Sequence, residues 1–274
     1  MDRHYSALFS TLFGKFADRE FPSVLQSIIN HSYVGVMGLD MREFQKPGDY
    51  KSLNKLFTRA LKSAREIDFD PSVVISPCDC KVVDMGKIES ERAYQIKGMS
   101  YSIRELLTEY YAEDIAKLEG GEYINFYLSP KDYHRYHIPF DMKIESCAHI
   151  PGKLYPVNMP LLKNKSNLYI ENERVVLKCR DRAGKIHYMV LVGALNVGRM
   201  VLTFEKRVNT NRGSGAERLY FDYEEPTEMK KGELFGWFEM GSTIVVLSEA
   251  KALKYTVETG EKISFSQSIG SLKD

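Results

Sequence analysis

Cysteine is scarce in this chain of 274 residues: four are present, Cys78, Cys80, Cys147 and Cys179. They do not form the dense, evenly spaced set of a small disulfide-stapled scaffold, so reduced thiols in a cytoplasmic setting are expected. A chain of this length buries most of its apolar surface and needs no staple. Cys78 and Cys80 form a Cys-x-Cys that could open a metal site, but no second cysteine pair completes the usual zinc spacing. A charge excess is missing too. Lys plus Arg is 38 and Asp plus Glu is 37, a formal net charge of +1. No global field draws the chain to nucleic acid or to an anionic membrane, and no nucleic-acid partner is expected. No run approaches the ~18 apolar residues that span a bilayer. The start, from Met1 to Tyr5, lacks an apolar run before a small-residue cleavage site, so no signal peptide is expected. Membrane contact would have to come from a local patch.

What is present is ordinary for a globular protein: 43% hydrophobic and 27% charged residues, enough for one large domain or two small ones. The first 65 or so residues carry helical spacing. Leu8, Phe9, Leu12, Phe13 and Phe16 fall on one face of a predicted helix over 6–18. Pro22, suited to a first helical turn, opens a second helix with Val24, Leu25, Ile28, Ile29 and Tyr33. A third covers 53–61, with Leu53, Leu56, Phe57 and Leu61 on one side. These faces either pack on a core or lie on a membrane surface. Packing is the simpler reading, because the first helix lacks a dense Lys/Arg face. Beyond residue 70 short runs rich in Val, Ile, Tyr and Phe alternate with Gly, Pro, Asn and Asp. They predict strands over 73–76, 81–88, 123–128, 142–150, 174–178, 188–192, 200–204 and 243–247. One helix is expected near 102–113, and 207–218 reads as an exposed loop. The expected fold class is α+β: an N-terminal helical region (1–65) followed by a mostly β body (66–274).

Three segments carry chemistry. The first is Ser129-Pro-Lys-Asp-Tyr-His-Arg-Tyr-His137, at the end of a predicted strand. Two histidines three residues apart on a turn or short helix bring both rings to one side. Imidazole suits proton transfer near neutral pH, although a pair of structural histidines has the same spacing. The second is Ile75-Ser-Pro-Cys-Asp-Cys-Lys81. It sets Asp79 on a tight turn between two strands, where it either bonds its own turn or orients a catalytic imidazole. The third is Gly241-Ser242-Thr243, just before a strongly apolar strand. Alone it is a tight turn, and Gly-Ser recurs at 213–214 and 270–271.

Taken together and in order, these segments resemble the phosphatidylserine decarboxylase family of pyruvoyl-dependent, self-cleaving proenzymes. The resemblance runs from about Tyr50 to Glu249. It includes Lys51-Ser-Leu-Asn-Lys-Leu-Phe-Thr-Arg59, the two segments around Asp79 and His134, and Pro151-Gly-Lys-Leu-Tyr-Pro-Val-Asn158. It continues through Asn172-Glu-Arg-Val175, Val192-Gly-Ala-Leu-Asn-Val-Gly198 and Lys231-Gly-Glu-Leu-Phe-Gly236, and ends on Met240-Gly-Ser-Thr243. By position the resemblance makes Ser242 the residue that becomes the pyruvoyl group, with cleavage between Gly241 and Ser242. Asp79 and His137 become the partners that activate it, and His134 the histidine of the decarboxylation cycle. Two positions depart from the family pattern. Cys80 stands where Gly is frequent, and its side chain is expected to perturb the turn that presents Asp79. Met240 stands where Leu is usual, a swap of similar volume with little expected effect.

The chemistry implied by the resemblance is self-contained. His137 takes the hydroxyl proton of Ser242 while Asp79 holds the ring and stabilises its charged form. The serine oxygen attacks the Gly241 carbonyl carbon to give an ester. β-Elimination leaves dehydroalanine, and hydrolysis expels ammonia to leave a pyruvoyl cap on a small chain, 242–274, beside a large chain, 1–241. The ketone forms a Schiff base with the substrate amine and accepts the electrons left by carbon dioxide, as PLP does elsewhere. The pyruvoyl group is the one cofactor expected, and no metal is. His134 is the candidate acid toward the product carbon. The implied substrate is phosphatidylserine and the product phosphatidylethanolamine. Implied partners are a membrane surface, bound peripherally on the cytoplasmic side of the cell membrane, and the two chains for each other as a heterodimer, with a higher homo-oligomer open. Three alternatives stand: a decarboxylase of a free amino acid, a zinc hydrolase using Cys78, Cys80, His134 and His137, and a catalytically silent lipid-binding module. Bound metal, self-cleavage and carbon dioxide release separate them.

Overall fold

The computed structural model describes residues 14–195, 199–211, 216–239 and 242–273, with Ser242 described by its backbone alone. Sixteen strands lie among them: β1 (Val73–Ile75), β2 (Cys80–Lys87), β3 (Arg92–Ile96), β4 (Met99–Ser102), β5 (Glu122–Leu128), β6 (Arg135–His137), β7 (Met142–Ile150), β8 (Arg174–Asp181), β9 (Ile186–Gly193), β10 (Met200–Leu202), β11 (Leu219–Met229), β12 (Leu234–Phe238), β13 (Ser242–Ser248), β14 (Leu253–Tyr255), β15 (Lys262–Ile263) and β16 (Ser268–Leu272). Eight form one sheet in the order β11-β7-β8-β9-β13-β5-β2-β15. The fold is α+β, as the sequence pattern predicts, and every predicted strand is present, β7 with the predicted bounds and the others with shifted ends.

Strand β13 lies between β9 and β5, antiparallel to both. Both faces of these central strands are covered, which is why they read as continuous apolar runs. The two-residue period of a strand still sorts their side chains. Phe126, Leu128, Leu191, Ile244 and Val246 join the core on one face, and Val190, Val192, Val245 and Leu247 the core on the other. Two three-stranded sheets, β10-β12-β6 and β1-β16-β14, complete the body, and β3 and β4 form a separate pair.

Helical residues appear at 14–18, and residues 6–13 of the predicted first helix lie outside the described residues. The next helix, Ser23–Met37, starts after Pro22 and ends at Gly38, whose φ of 65° lets its N–H reach the Val34 carbonyl. Its polarity is reversed on one side. Gln26 and Asn30 are buried, with Asn30 Nδ2 donating to the carbonyls of Pro47 (2.8 Å) and Tyr50 (2.9 Å). Val24, Leu25 and Ile28 are 74%, 45% and 58% exposed. Farther along, Tyr33 and Val34 pack against Leu53 and Leu56, so only part of the apolar face finds a core.

Three expectations need correction. The helix over 53–61 is only Leu53–Phe57, capped by Ser52. The helix near 102–113 breaks at Thr108, whose φ is 75°, between Ile103–Leu107 and a 3-10 turn, Glu109–Asp114. The loop over 207–218 is not wholly exposed: Val208 and Thr210 are buried, and Thr210 Oγ1 accepts the Met200 N–H at 2.8 Å.

Candidate active site

Asp79 occupies the bend between β1 and β2, where the sequence predicts a turn. Its carboxylate does not bond that turn. Arg65 meets it fork to fork, Nη1 on Oδ1 and Nη2 on Oδ2 at 3.0 Å, and the Phe265 N–H donates to Oδ1 at 2.7 Å. Paired forks of this kind fix both side chains in one plane. Cys80 is the first residue of β2, is buried in the core and is not among the residues with positive φ.

His137 lies on β6, opposite Leu234 of β12. Its Nδ1 is 2.9 Å from the Gly232 carbonyl oxygen and must donate to it. That leaves Nε2 as the acceptor for the Tyr133 hydroxyl at 3.0 Å. Phe265 stacks on the ring at a centroid distance of 3.7 Å. Burial pushes the His137 pKa from 6.5 down to about 4, and Arg135 and Arg65 add to the shift. The ring is an uncharged base at neutral pH. Its orientation by Asp79, expected from the sequence, is not a contact of this structure; Gly232 and Tyr133 hold the ring. Phe265 joins the two groups instead, its N–H on Asp79 and its ring on His137.

His134 stands in the segment between β5 and β6. Its Nδ1 lies 2.9 Å from the Asp132 carbonyl and donates to it. The ring packs against Phe57 in a tilted arrangement, centroids 4.0 Å apart. Nε2 is buried and has no hydrogen-bond partner among the described residues. Burial pushes the pKa of His134 down to about 3, so Nε2 presents a bare lone pair. The turn or short helix expected to carry both imidazoles is not what holds His137, which sits on extended backbone, and the rings pack on different partners, Phe57 and Phe265.

Residues just after the helix Leu53–Phe57 set this segment. Arg59 is buried, and its Nη2 donates to the carbonyls of Lys131 (2.7 Å) and Asp132 (3.1 Å). Arg135 Nε donates to the Thr58 carbonyl at 3.0 Å. Met240 and Gly241 lie outside the described residues, but the chain on each side of them is fixed. The Phe238 N–H donates to the His134 carbonyl at 2.9 Å. Ser242 opens β13 in register with Leu128 on one side and Gly193 on the other. The ends of the 239–242 connection are thus fastened to the two ends of the segment 128–134. Among the described residues no group of three or more His, Cys, Asp or Glu side chains is arranged to hold a metal ion. Cys78 is fully buried, and burial pushes its thiol pKa well up.

Sequence reasoning singles out Asp79, His134, His137 and the Gly241–Ser242 junction as candidates. It misses Arg65 and Phe265, which lie outside every motif, and passes over Arg59, Tyr133 and Gly232, which lie inside motifs without an assigned part.

The class defined here is an α+β protein with two buried, uncharged imidazoles and a clamped carboxylate on the chain between β1 and β6 as candidate acid–base groups. The family model for phosphatidylserine decarboxylase matches residues 53–271. Similar proteins are the phosphatidylserine decarboxylase proenzymes of Helicobacter pylori, 44% identical over 95% of both chains, and of Campylobacter jejuni, 43% identical over 95% of this chain and 97% of the relative. That of Marinobacter nauticus is 36% identical over 92% and 91%. The chain belongs to the phosphatidylserine decarboxylase family.

Proposed function

We propose that the chain cuts itself between Gly241 and Ser242 and then converts phosphatidylserine to phosphatidylethanolamine and carbon dioxide. The observation that carries the site reading is the fastening of both sides of that bond to the His134 segment. An unpartnered buried imidazole nitrogen is costly, and Nε2 of His134 suits a group formed at position 242.

In the cut, His137 is the base. Its uncharged Nε2 accepts the Ser242 hydroxyl proton once the Tyr133 hydroxyl turns aside. The serine oxygen bonds to the Gly241 carbonyl carbon, the peptide C–N bond breaks, and His137 returns the proton to the departing nitrogen. Elimination then moves the Cα proton of residue 242 to the freed His137 and breaks the Cβ–O bond, releasing the carboxylate of Gly241, and the enamine so formed takes the proton back on Cβ to become an imine. Water replaces the nitrogen, and ammonia leaves. Asp79, on the far side of Phe265, stabilises the imidazolium through its field. The pyruvoyl group supplies the electron sink for decarboxylation. His134 moves the proton: Nε2 takes one from the substrate ammonium and returns it to the carbon that loses carbon dioxide. The Nδ1–H bond to the Asp132 carbonyl fixes the tautomer.

A lipid substrate demands a surface. The exposed Val24, Leu25 and Ile28, on a helix whose polar Gln26 and Asn30 face inward, support peripheral docking on the cytoplasmic side of the cell membrane. Among the described residues no helix is long and apolar enough to cross a bilayer. The two chains stay together as a heterodimer, because residues 242–274 supply β13 at the centre of the large sheet as well as β14, β15 and β16.

Intact mass under denaturing conditions tests the reading. It should show 1–241 and 242–274, the small chain lighter by one ammonia than a serine-ended fragment. Ser242→Ala should remain one chain and release no carbon dioxide. A Ser242→Ala protein that still decarboxylates ends the proposal.

A further inference from the structure

Arg59 is a buried cation whose hydrogen bonds, among the described residues, all go to backbone carbonyls. Nη1 donates to Phe57 at 3.4 Å, and Nη2 to Lys131 at 2.7 Å and to Asp132 at 3.1 Å. The guanidinium lies over the Phe44 ring, 4.5 Å from its centroid, and Nε is buried without a hydrogen-bond partner. Asp79 and Asp132 act on it at longer range. Asp79, however, is forked to Arg65, and Asp132 Oδ2 accepts both the N–H and the hydroxyl of Ser129 at 2.7 Å. A buried charge whose close partners are all neutral is costly, and an apolar side chain would fill the space at less cost.

One of those carbonyls orients His134. The Asp132 oxygen accepts the Nδ1–H of His134 at 2.9 Å and the Nη2–H of Arg59 at 3.1 Å, one for each lone pair. Guanidinium and imidazole are thus a single oxygen atom apart. The turn that carries this oxygen is closed both ways: the Asp132 N–H donates to the Ser129 carbonyl at 2.9 Å, and the Asp132 side chain accepts from Ser129. Other charges around the ring are engaged elsewhere. Glu239, beside Phe238, forks to Arg199. Arg135 donates to the Thr58 carbonyl and lies over Trp237. The Lys131 ammonium acts on the Asp132 carboxylate. The helix Leu53–Phe57 presents only the Phe57 ring to the imidazole.

We infer that Arg59 is a positioning residue for His134: it holds the oxygen that fixes the tautomer of the ring, and its charge loosens the grip of Nε2 on a proton in transit. The inference rests on the decarboxylase reading and on the part given there to His134. Two effects act together. A carbonyl that already accepts from a cation draws less on a second donor, so it stabilises an imidazolium less. A positive charge so close also disfavours a second one. Burial sets the proton affinity of His134 low, and the Arg59 charge lowers it further. A carrier that takes a proton from an ammonium must surrender it to carbon, and a proton held too tightly stays on nitrogen.

The test is a double-mutant cycle between Arg59→Met and His134→Ala, on phosphatidylserine dispersed in nonionic micelles, with self-cleavage and Tm read alongside. Arg59→Met should cleave itself and lose kcat about tenfold, the effect of a displaced proton carrier, with KM held. The acid limb of its kcat/KM should stand about one pH unit or more above that of wild type. Arg59→Lys, which keeps the charge, should recover most of kcat and leave the limb in place. On the His134→Ala background, Arg59→Met should change kcat by less than about twofold, because the two residues act as one. Where Arg59→Met does not fold, Arg59→Gln, neutral but still a donor, runs the same cycle. A cleaved Arg59→Met protein with the wild-type kcat overturns the inference. So does an equal loss with and without His134, which makes Arg59 act apart from the ring. A raised KM with kcat and acid limb unmoved assigns Arg59 to substrate binding and overturns it, and a folded but uncut Arg59→Lys chain does so by placing Arg59 in the cut. Wild type that releases no carbon dioxide from phosphatidylserine overturns the decarboxylase reading itself, and a cleaved His134→Ala protein with the wild-type kcat overturns the part given to that ring.

Discussion

At the scale of single residues, burial decides what the imidazoles do. His134→Ala leaves His137, Asp79 and the Gly241–Ser242 bond in place. It should still cleave, while carbon dioxide release falls roughly 100-fold or more, the usual worth of a positioned proton carrier. An uncut His134→Ala product would exchange the parts given to the two histidines. Both rings, with pKa values of about 3 and about 4, stay neutral in the folded chain. An unfolded histidine titrates near 6.5. Between these values the unfolded chain binds protons that the folded one refuses. Their contribution to stability is therefore whole above pH 6.5 and lost progressively as the pH falls toward 4. Thermal melts at pH 7, 6 and 5 should show Tm descending; a level Tm would mean that the folded rings carry charge. The sequence displays the histidines, Asp79 and the Gly-Ser junction because each sits in a recognisable ordered block. It hides Arg65 and Phe265. Arg65 is one of 38 basic residues and looks like any solvated cation, and its fork on Asp79 exists only once the chain has folded. Phe265 is 128 positions beyond His137, and stacking between them leaves no local pattern.

At the scale of elements, the short strands around the site are the ones the sequence conceals. Long apolar strands such as β7, β9 and β13 announce themselves by composition. β6 is three residues, Arg-Tyr-His, and β12 is five, with three aromatics around Gly236. β11 is an acidic edge strand carrying Pro226, and its register breaks between Asp222 and Thr227, where a proline is tolerated. Hydrophobic alternation has too little length in β6 and β12 to rise above noise, and in β11 it is interrupted by acidic residues and Pro226. Gly236 shows how tightly they meet. A Cβ there would lie 2.1 Å from the Val201 carbonyl oxygen and 2.3 Å from the Tyr136 ring, and the first of these is backbone that cannot rotate away. Gly236→Ala should cost about 1–3 kcal/mol and displace β6, so cleavage should slow along with the loss of stability. Denaturant melts and the time course of chain cutting measure the two; wild-type values of both would show that β10 and β12 separate freely.

At the scale of the whole molecule, the helix Ser23–Met37 divides its apolar residues between core and solvent. Replacing Val24, Leu25 and Ile28 together by Ser should abolish liposome sedimentation and leave self-cleavage intact, because none of the three touches the site segment. Sedimentation equal to wild type would move the docking surface elsewhere. The position of β13 has a separate consequence. One continuous chain lays this strand between β5 and β9 while it folds. After the cut, the middle of the sheet belongs to one polypeptide and its flanks to another. A reversible, first-order process has become a second-order one, so the matured protein forms through a precursor that it cannot regenerate. Its endurance is then governed by how slowly the strand escapes rather than by how readily it returns. Heated and cooled, the uncut Ser242→Ala chain should recover its structure at any dilution, whereas the matured pair should recover less the more dilute it is: cleavage gives the molecule a history that its final shape alone does not contain.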